Sequence, residues 1–248
     1  MDLGLAGRRA AIGASSGGLG FATAAALAAE GAEVTLSGTN EGRLRAAAER
    51  IGSRASWIVC DLSDPDGSEE FVHAARAAMG GIDILVTNAP GPTPGNFAHT
   101  AAEDYPPALE ASLLSVVRMC RAVVPDMCEQ EWGRVVAITS ISARQPIPDL
   151  ILSNTARAGV TGFLKTLARE VAGYGVTVNS VQPGLHATER VENVYSDGLD
   201  VAVSQIPAGR LGQPREFAAL VSFLCSEHAG YITGTAIPVD GGSYQGLQ

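Results

Sequence analysis

The stretch "RRAAIGASSGGLGFATAAALAAEGAEVTLSG", Arg8 to Gly38, decides the fold. A short apolar run is followed by a glycine-rich turn, an Ala/Leu-rich helical segment that would end at Gly31, and a second apolar run. This order of strand, helix and strand is typical of a right-handed βαβ unit, whose two strands lie parallel in one sheet. The stretch therefore predicts an α/β protein.

The same alternation continues along the chain. Further apolar runs predict strands that are buried on both faces, and they begin at Ser56, Ile82, Arg134 and Val176. The chain has 248 residues and no break in composition, so we predict one domain over residues 1–248, built on a doubly wound parallel sheet. Two loop-rich segments, Pro90–Asn96 and 186–205, follow strand ends, where ligands bind in this architecture.

Charge and cysteine usage exclude several classes of partner. The formal net charge is −9 and the arginines are scattered, which argues against a nucleic acid or an anionic membrane as partner. The four cysteines form no CxxC pair and no metal-ligand spacing with the four histidines, so free thiols and no metal are expected. No apolar run is long enough to span a membrane, and no signal segment precedes the first strand, which together predict a cytoplasmic location.

The turn "GASSGGLG", Gly13–Gly20, is the first candidate binding element. Glycines at the first strand-to-helix turn allow the backbone to approach a pyrophosphate, and the N-terminus of the following helix favours its negative charge. The position directly after the first strand makes a nucleotide more plausible than an ordinary tight turn.

Six ordered motifs extend this pattern over nearly the whole chain. They are "SSGGLG", "TNAPG" (Thr87–Gly91), Ser140, "QPGLHAT" (Gln182–Thr188), "RLGQPREFA" (Arg210–Ala218) and "ITGTAIPVDGG" (Ile232–Gly242). With these motifs the sequence resembles the short-chain dehydrogenase/reductase family, and in particular its 3-oxoacyl-carrier-protein-reductase-like branch. The resemblance implies a Rossmann-like domain, a nicotinamide cofactor and a carbonyl or alcohol substrate.

The resemblance also implies a set of cofactor-binding positions. They are Ala14, Ser15, Ser16, Gly18, Leu19 and Gly20 in the phosphate loop; Asp61 and Leu62 at the adenine; Asn88 and Ala89 beside the central strand; and Pro183, Gly184 and Thr188 around the nicotinamide amide. Ala14 stands where the first glycine of the loop is usual, which is tolerated if its φ is negative. Pro90 replaces a glycine of the second motif.

The choice between NAD and NADP depends on the end of the second strand, "LSGTN". NAD is usually held there by Asp or Glu and NADP by Arg or Lys, but Thr39 and Asn40 follow Gly38. The nearest cation in sequence is Arg43. Because no acidic group would repel a 2′-phosphate, we expect NADP(H) to be favoured over NAD(H).

The catalytic positions depart from the family pattern. The resemblance implies a serine, a tyrosine thirteen residues later and a lysine four residues after that; here these positions hold Ser140, Ser153 and Arg157. Ser112 aligns with the family's supporting asparagine. Serine is a far weaker acid than a phenol and arginine stays protonated, so the family's proton transfer through tyrosine is excluded. Arg157 and the two serines can still stabilise an alkoxide, with His186, Tyr195 or water as proton donor.

Three functions follow from these residues. The first is an NAD(P)-dependent oxidoreductase acting on a ketone or secondary alcohol, with residues of about 186–208 covering the substrate. The alternatives are a catalytically weak or inactive cofactor-binding protein, and a non-redox lyase or isomerase on the same scaffold. The family usually assembles through helices, and the small residues Ala158, Thr161 and Gly162 on one face of the Leu150–Ala168 helix predict a homodimer or homotetramer.

Overall fold

A computed structural model describes residues 1–195 and 198–247 of the chain. Seven strands form one parallel sheet: β1 Arg9–Ile12, β2 Glu33–Gly38, β3 Ala55–Val59, β4 Ile84–Thr87, β5 Gly133–Ile138, β6 Val176–Pro183 and β7 Ala236–Val239. Nine α-helices connect them: α1 Gly18–Ala29, α2 Glu41–Ile51, α3 Gly67–Met79, α4 Tyr105–Leu109, α5 Ser115–Glu129, α6 Ile151–Val171, α7 Glu189–Val194, α8 Leu199–Ser204 and α9 Pro214–Cys225. That count covers the described residues.

The strand order, β3-β2-β1-β4-β5-β6-β7, reverses between β1 and β4. Every pairing in the sheet is parallel. The predicted single-domain, doubly wound α/β fold is confirmed. At the reversal, the loops after β1 and β4 separate to opposite faces of the sheet, which leaves a crevice at the carboxyl ends of the strands.

Two apolar layers cover the two faces of this sheet. α1, α2 and α9 contribute residues such as Leu27, Leu44 and Phe217 to one layer. α3, α5 and α6 contribute residues such as Phe71, Met119 and Val160 to the other. Because the central strands are covered on both sides, their sequences are continuously apolar rather than alternating. Within the described residues, no helix is long and apolar enough to cross a membrane.

One helix begins irregularly. The chain passes from α4 through a π-helical turn, Glu110–Leu114, into α5, and a π turn inserts an extra residue into the helical hydrogen-bond ladder. Ser112 lies in this turn and is fully buried. The insertion places its side chain toward the loop that follows β4 rather than along the helix surface.

Candidate active site

The glycine loop between β1 and α1 is held rigidly in place. A Cβ atom added at Gly20 would lie 2.7 Å from the Ala14 carbonyl oxygen and 2.9 Å from Asn88 Nδ2, so only glycine fits. Asn88 Nδ2 donates to the Ala14 carbonyl at 2.9 Å and thereby joins the loop to the end of β4. The crevice therefore has a preformed floor on the β1 side.

Two expectations for this loop are corrected. Ala14 has a φ of +42°, so the alanine sits in the left-handed region and carries strain of about 1–2 kcal/mol that glycine would avoid. Ser15 is fully buried, and its Oγ donates to the Ile12 carbonyl and accepts from Ser37 N. Its N–H is also used, by the Ser37 carbonyl. Ser15 thus stabilises the loop, and neither its Oγ nor its N–H is free to bind a cofactor.

The N-terminus of α1 is open to a ligand. Its N-cap, Gly17, provides no side-chain cap, and the first turn contains no acidic residue, so the free N–H groups favour an anion. Gly18 has a φ of +57°, and a Cβ atom added there would lie 3.8 Å from Thr188 Cγ2. The phosphate loop and the Pro183–Thr188 segment therefore face one another across a narrow cleft.

The opposite wall of the cleft is fixed by β7. Gly184 N donates to the Val239 carbonyl at 3.0 Å, and a Cβ atom at Gly184 would lie 2.8 Å from Asp240 Cα. Thr188 caps α7 by accepting from Val191 N. The segment from Pro183 to Thr188 is thus positioned by close backbone contact rather than by its own turn chemistry.

Arg43 lies beside the phosphate loop. A Cβ atom added at Gly17 would meet Arg43 Nη2 at 3.3 Å, and the same nitrogen pairs with Glu189 Oε2 at 2.7 Å. Asn40 caps α2 by accepting from Arg43 N, Thr39 is exposed, and Ser16 approaches Gly38. These side chains gather around the end of β2, where the ribose of a dinucleotide lies in this fold.

The predicted adenine residues differ in their surroundings. Asp61 is exposed and accepts from Ser63 N and Oγ, which lowers the pKa of its carboxyl. Leu62 is buried in the core layer of α3 and Ala89 is also buried, so their side chains cannot reach a ligand. A contact of either residue with a cofactor would therefore be made by its backbone.

Ser140 and the guanidinium of Arg157 both lie at the end of β5, and Ser153 precedes Arg157 on α6. Ser140 follows this strand, and its Oγ accepts from Ser142 N at 3.1 Å, which starts a short 3₁₀ turn. Ser153 lies in the first turn of α6, and Arg157 is one helical turn further. From there, Arg157 Nη1 donates to the Ile138 carbonyl, two residues before Ser140.

The guanidinium of Arg157 is buried without a counter-ion. The residue is 5% exposed, and Nη2 donates to the Ala89 carbonyl, at 3.3 Å like the bond to Ile138. Among the described residues no carboxylate pairs with it. Burial, with the nearby charge of Arg190, lowers its pKa to about 10, so the group stays protonated at neutral pH.

Ser112 closes the same site from the α5 side. Its Oγ donates to the Pro90 carbonyl at 3.1 Å. Pro90 follows Ala89, whose carbonyl accepts from Arg157. The loop after β4 therefore joins Ser112 and Arg157 through two successive carbonyl groups.

His186 is buried, and its contacts lie away from the three catalytic candidates. It is 2% exposed, its Nδ1 lies 3.2 Å from the Gly184 carbonyl, and its ring packs edge-on against Phe217 at 5.5 Å. None of these contacts involves Ser140, Ser153 or Arg157, and burial lowers the pKa of the imidazole. These contacts argue against His186 as the proton donor. Tyr195, partly buried at the end of α7, stays a candidate.

The buried imidazole predicts a pH-dependent stability. The pKa of this histidine is about 6.5 in the unfolded chain and lower in the folded protein. Between these two values the unfolded chain therefore binds more protons. Stability should fall as the pH falls through this window, by at most about 1.4 kcal/mol per pH unit. Between about pH 7.5 and about pH 5.5, urea unfolding should show that His186→Leu loses less of its free energy of unfolding than the wild type does. His73→Gln, at an exposed position, is the control; equal slopes in all three proteins would contradict the prediction.

Two residues of the site were not predicted from the sequence. Asn154 accepts from Ile147 N and donates to the Ile147 carbonyl, which anchors the loop between Ser140 and α6. Arg190 reaches the carbonyls of Gly91 and Pro92, both at 3.4 Å. A cation in the first turn of a helix interacts unfavourably with the helix dipole. This unfavourable position could have marked Arg190 in the sequence as a residue with another role.

Comparisons with known proteins agree with this geometry. A family model described as Enoyl-(Acyl carrier protein) reductase matches residues 13–244. The 3-oxoacyl-acyl-carrier-protein reductase FabG of Vibrio cholerae serotype O1 is 36% identical over 241 residues, which are 97% of this chain and 98% of the relative. The chain belongs to the short-chain dehydrogenase/reductase family.

Solved members of the short-chain dehydrogenase/reductase family share the whole fold. L-sorbose reductase from Gluconobacter frateurii, complexed with NADPH and L-sorbose, has a TM-score of 0.93 and 33% identity, with 100% of both chains covered. Actinorhodin polyketide ketoreductase with NADPH has a TM-score of 0.92 and 30% identity, covering 97% of this chain and 98% of that one. The resemblance based on the motifs is confirmed at the level of the family, which is one of oxidoreductases.

Proposed function

We propose that the protein is an NADP(H)-dependent oxidoreductase that transfers hydride to a ketone or from a secondary alcohol, with an atypical catalytic centre. The observation that carries this proposal is the two-sided cleft at the β1/β4 reversal. There the uncapped N-terminus of α1 faces Thr188. The relatives that hold NADPH support the same cofactor here.

The residues of the cleft divide the work of binding. The glycine loop and the N–H groups of Gly18, Leu19 and Gly20 would hold the pyrophosphate. The segment Pro183–Thr188 would hold the nicotinamide amide, and the cofactor would supply the hydride. Residues of about 186–208 would cover the substrate; Ser196 and Asp197 of this segment lie outside the described residues.

The proton must come from a group other than tyrosine. Ser140 and Ser153 would orient the carbonyl, and Arg157 would stabilise the negative charge that develops on its oxygen. Burial lowers the pKa of Arg157 only to about 10, so its guanidinium stays protonated at neutral pH and is a poor proton donor. We therefore propose that water held by these three residues donates the proton, with Tyr195 as the alternative.

Arg43 supports the preference for NADP(H). It lies against the phosphate loop, and in the protein without cofactor its guanidinium pairs with Glu189. A 2′-phosphate offers more negative charge than this carboxylate, and an arginine fork binds phosphate with two hydrogen bonds. Exchange of Glu189 for the phosphate would give NADPH an advantage that NADH lacks.

A cofactor-binding protein without catalysis is the second candidate, and the absence of the phenol at position 153 favours it. One experiment distinguishes the oxidoreductase from the non-catalytic protein: it measures the oxidation of NADPH and of NADH with a panel of diketones. We expect turnover with NADPH, and Arg43→Gln should raise the KM for NADPH about 10-fold while leaving that for NADH unchanged. Arg45→Gln on the same helix, which pairs with Glu41, is the matched control.

Outcomes of this test separate the candidates. Saturable NADPH binding without turnover of any diketone would leave the non-catalytic reading. Equal effects of Arg43→Gln on both cofactors would show that Arg43 does not contact the 2′-phosphate.

We also propose that the protein forms a homodimer or homotetramer and is located in the cytoplasm. Its four cysteines are free, which supports a reducing compartment.

A further inference from the structure

The strongest unexplained feature of the site is its positive charge. The protein as a whole is acidic, with 26 Asp and Glu against 17 Lys and Arg. At the end of β5, however, Arg157 is buried with only backbone carbonyls as partners. A buried charge without a counter-ion destabilises the fold, so this arrangement persists only if another interaction offsets the desolvation of the guanidinium.

A second guanidinium lies near the first. Arg190 donates to the backbone carbonyls of Gly91 and Pro92, two and three residues after Ala89, whose carbonyl accepts from Arg157, so one short loop holds both guanidinium groups. Burial and, after it, the charge of Arg190 lower the pKa of Arg157. The neighbouring acidic residue, Glu189, pairs with Arg43 instead. Among the described residues, no carboxylate therefore balances either guanidinium.

The phosphates of a dinucleotide do not account for this pair. In this fold they lie at the N-terminus of α1, after β1. Arg157 instead lies beneath the ends of β4 and β5, where the nicotinamide and its uncharged ribose are expected. An oxidised nicotinamide ring is itself positive, so the cofactor would add to the unbalanced charge there.

We propose that Arg157 and Arg190 form a carboxylate-binding site, and that the natural substrate is a short oxo acid. Five N–H groups are available on each guanidinium, and Arg157 uses two for the carbonyls of Ile138 and Ala89, so the others can receive an anion. An arginine fork matches the planar geometry of a carboxylate. The carbonyl would then lie against Ser140 and Ser153, and this placement alone rests on the proposed function.

The test measures binding without turnover. Levulinate and its methyl ester have carbonyl groups of similar reactivity and differ in charge. Calorimetric titration of the protein in complex with NADP⁺, which cannot reduce either compound, should show that levulinate binds at least about 10-fold more tightly than the ester. Arg190→Gln should remove most of this difference. Arg169→Gln, an exposed site on α6, makes the same change in net charge and should leave it intact.

Arg190 is exposed, so its substitution should not disturb folding. Arg157→Gln serves as a second variant.

Equal binding of levulinate and its ester by the wild type would overturn the proposal. Weaker NADP⁺ binding in Arg190→Gln with an unchanged ratio would also overturn it, by assigning Arg190 to the cofactor. If NADP⁺ does not bind, the same titration of the cofactor-free protein decides. Discrimination of levulinate from its ester without reduction by NADPH would sustain the anion site while the proposed function fails.

Discussion

Ser153→Tyr combined with Arg157→Lys should raise the reduction of activated ketones by about 10²- to 10⁴-fold, the usual contribution of a positioned general acid. The two positions lie one turn apart on α6, and Arg157 reaches the Ile138 carbonyl, two residues before Ser140, so the sequence spacing for a phenol and an ammonium is kept. Ser153→Tyr alone should help less, because Arg157 stays protonated and cannot pass protons along a relay as a lysine can. The measurement is kcat/KM for NADPH-dependent reduction of a neutral diketone.

A neutral substrate is needed because Arg157→Lys also changes the proposed carboxylate site. The control is Thr155→Tyr with Arg157→Lys, which places the phenol on an exposed position of the same helix. If the main double variant folds and binds NADPH but gains no activity, then positions 153 and 157 do not occupy the family's catalytic geometry.

Gly18→Trp should abolish saturable binding of NADPH. An indole at this position would occupy the gap between the phosphate loop and Thr188, where a Cβ atom alone already comes within 3.8 Å of the threonine methyl. The pyrophosphate would then lose access to the N–H groups of α1. Titration followed by NADPH fluorescence measures this loss directly.

Gly18→Ala is the matched control for backbone strain. The φ of +57° disfavours any side chain, at about 1–2 kcal/mol, so both variants carry this cost and only the tryptophan fills the cleft. Urea unfolding establishes that each variant is folded. Retained NADPH binding in a folded Gly18→Trp protein would place the cofactor elsewhere and remove the basis of the proposed function.

The strands were largely predictable because a doubly wound sheet buries its central strands on both faces. The runs beginning at Glu33 and Val176 coincide with β2 and β6, and the other four lie within a few residues of the observed strands. The seventh strand, Ala236–Val239, was not predicted. It has four residues, contains Pro238 and lies at the edge of the sheet, so it lacks a strong strand pattern.

The position of the cleft was predictable because its two walls are formed by short segments with recognisable sequence motifs. Each wall of the cleft is one short continuous segment, Gly13–Gly20 or Pro183–Thr188, and the proposed binding would depend mostly on backbone atoms. Side-chain roles were less predictable. Ser15 lies in the phosphate loop but is used by Ser37, and His186 lies in the nicotinamide segment but packs on Phe217. Both partners come from other elements, so nothing in the local sequence indicates them.

The sequence by itself determined the α/β architecture, the position of the glycine loop and the replacement of the tyrosine and lysine by Ser153 and Arg157. Those features depend on residue type and on short-range periodicity. The tertiary structure alone decided that Ala14 adopts a positive φ and that Arg157 is buried near Arg190, with no carboxylate partner among the residues that the structure describes. The carbonyls that hold Arg157 are 19 and 68 positions away in sequence. Burial and charge balance are set by such distant residues, which only the folded chain brings together.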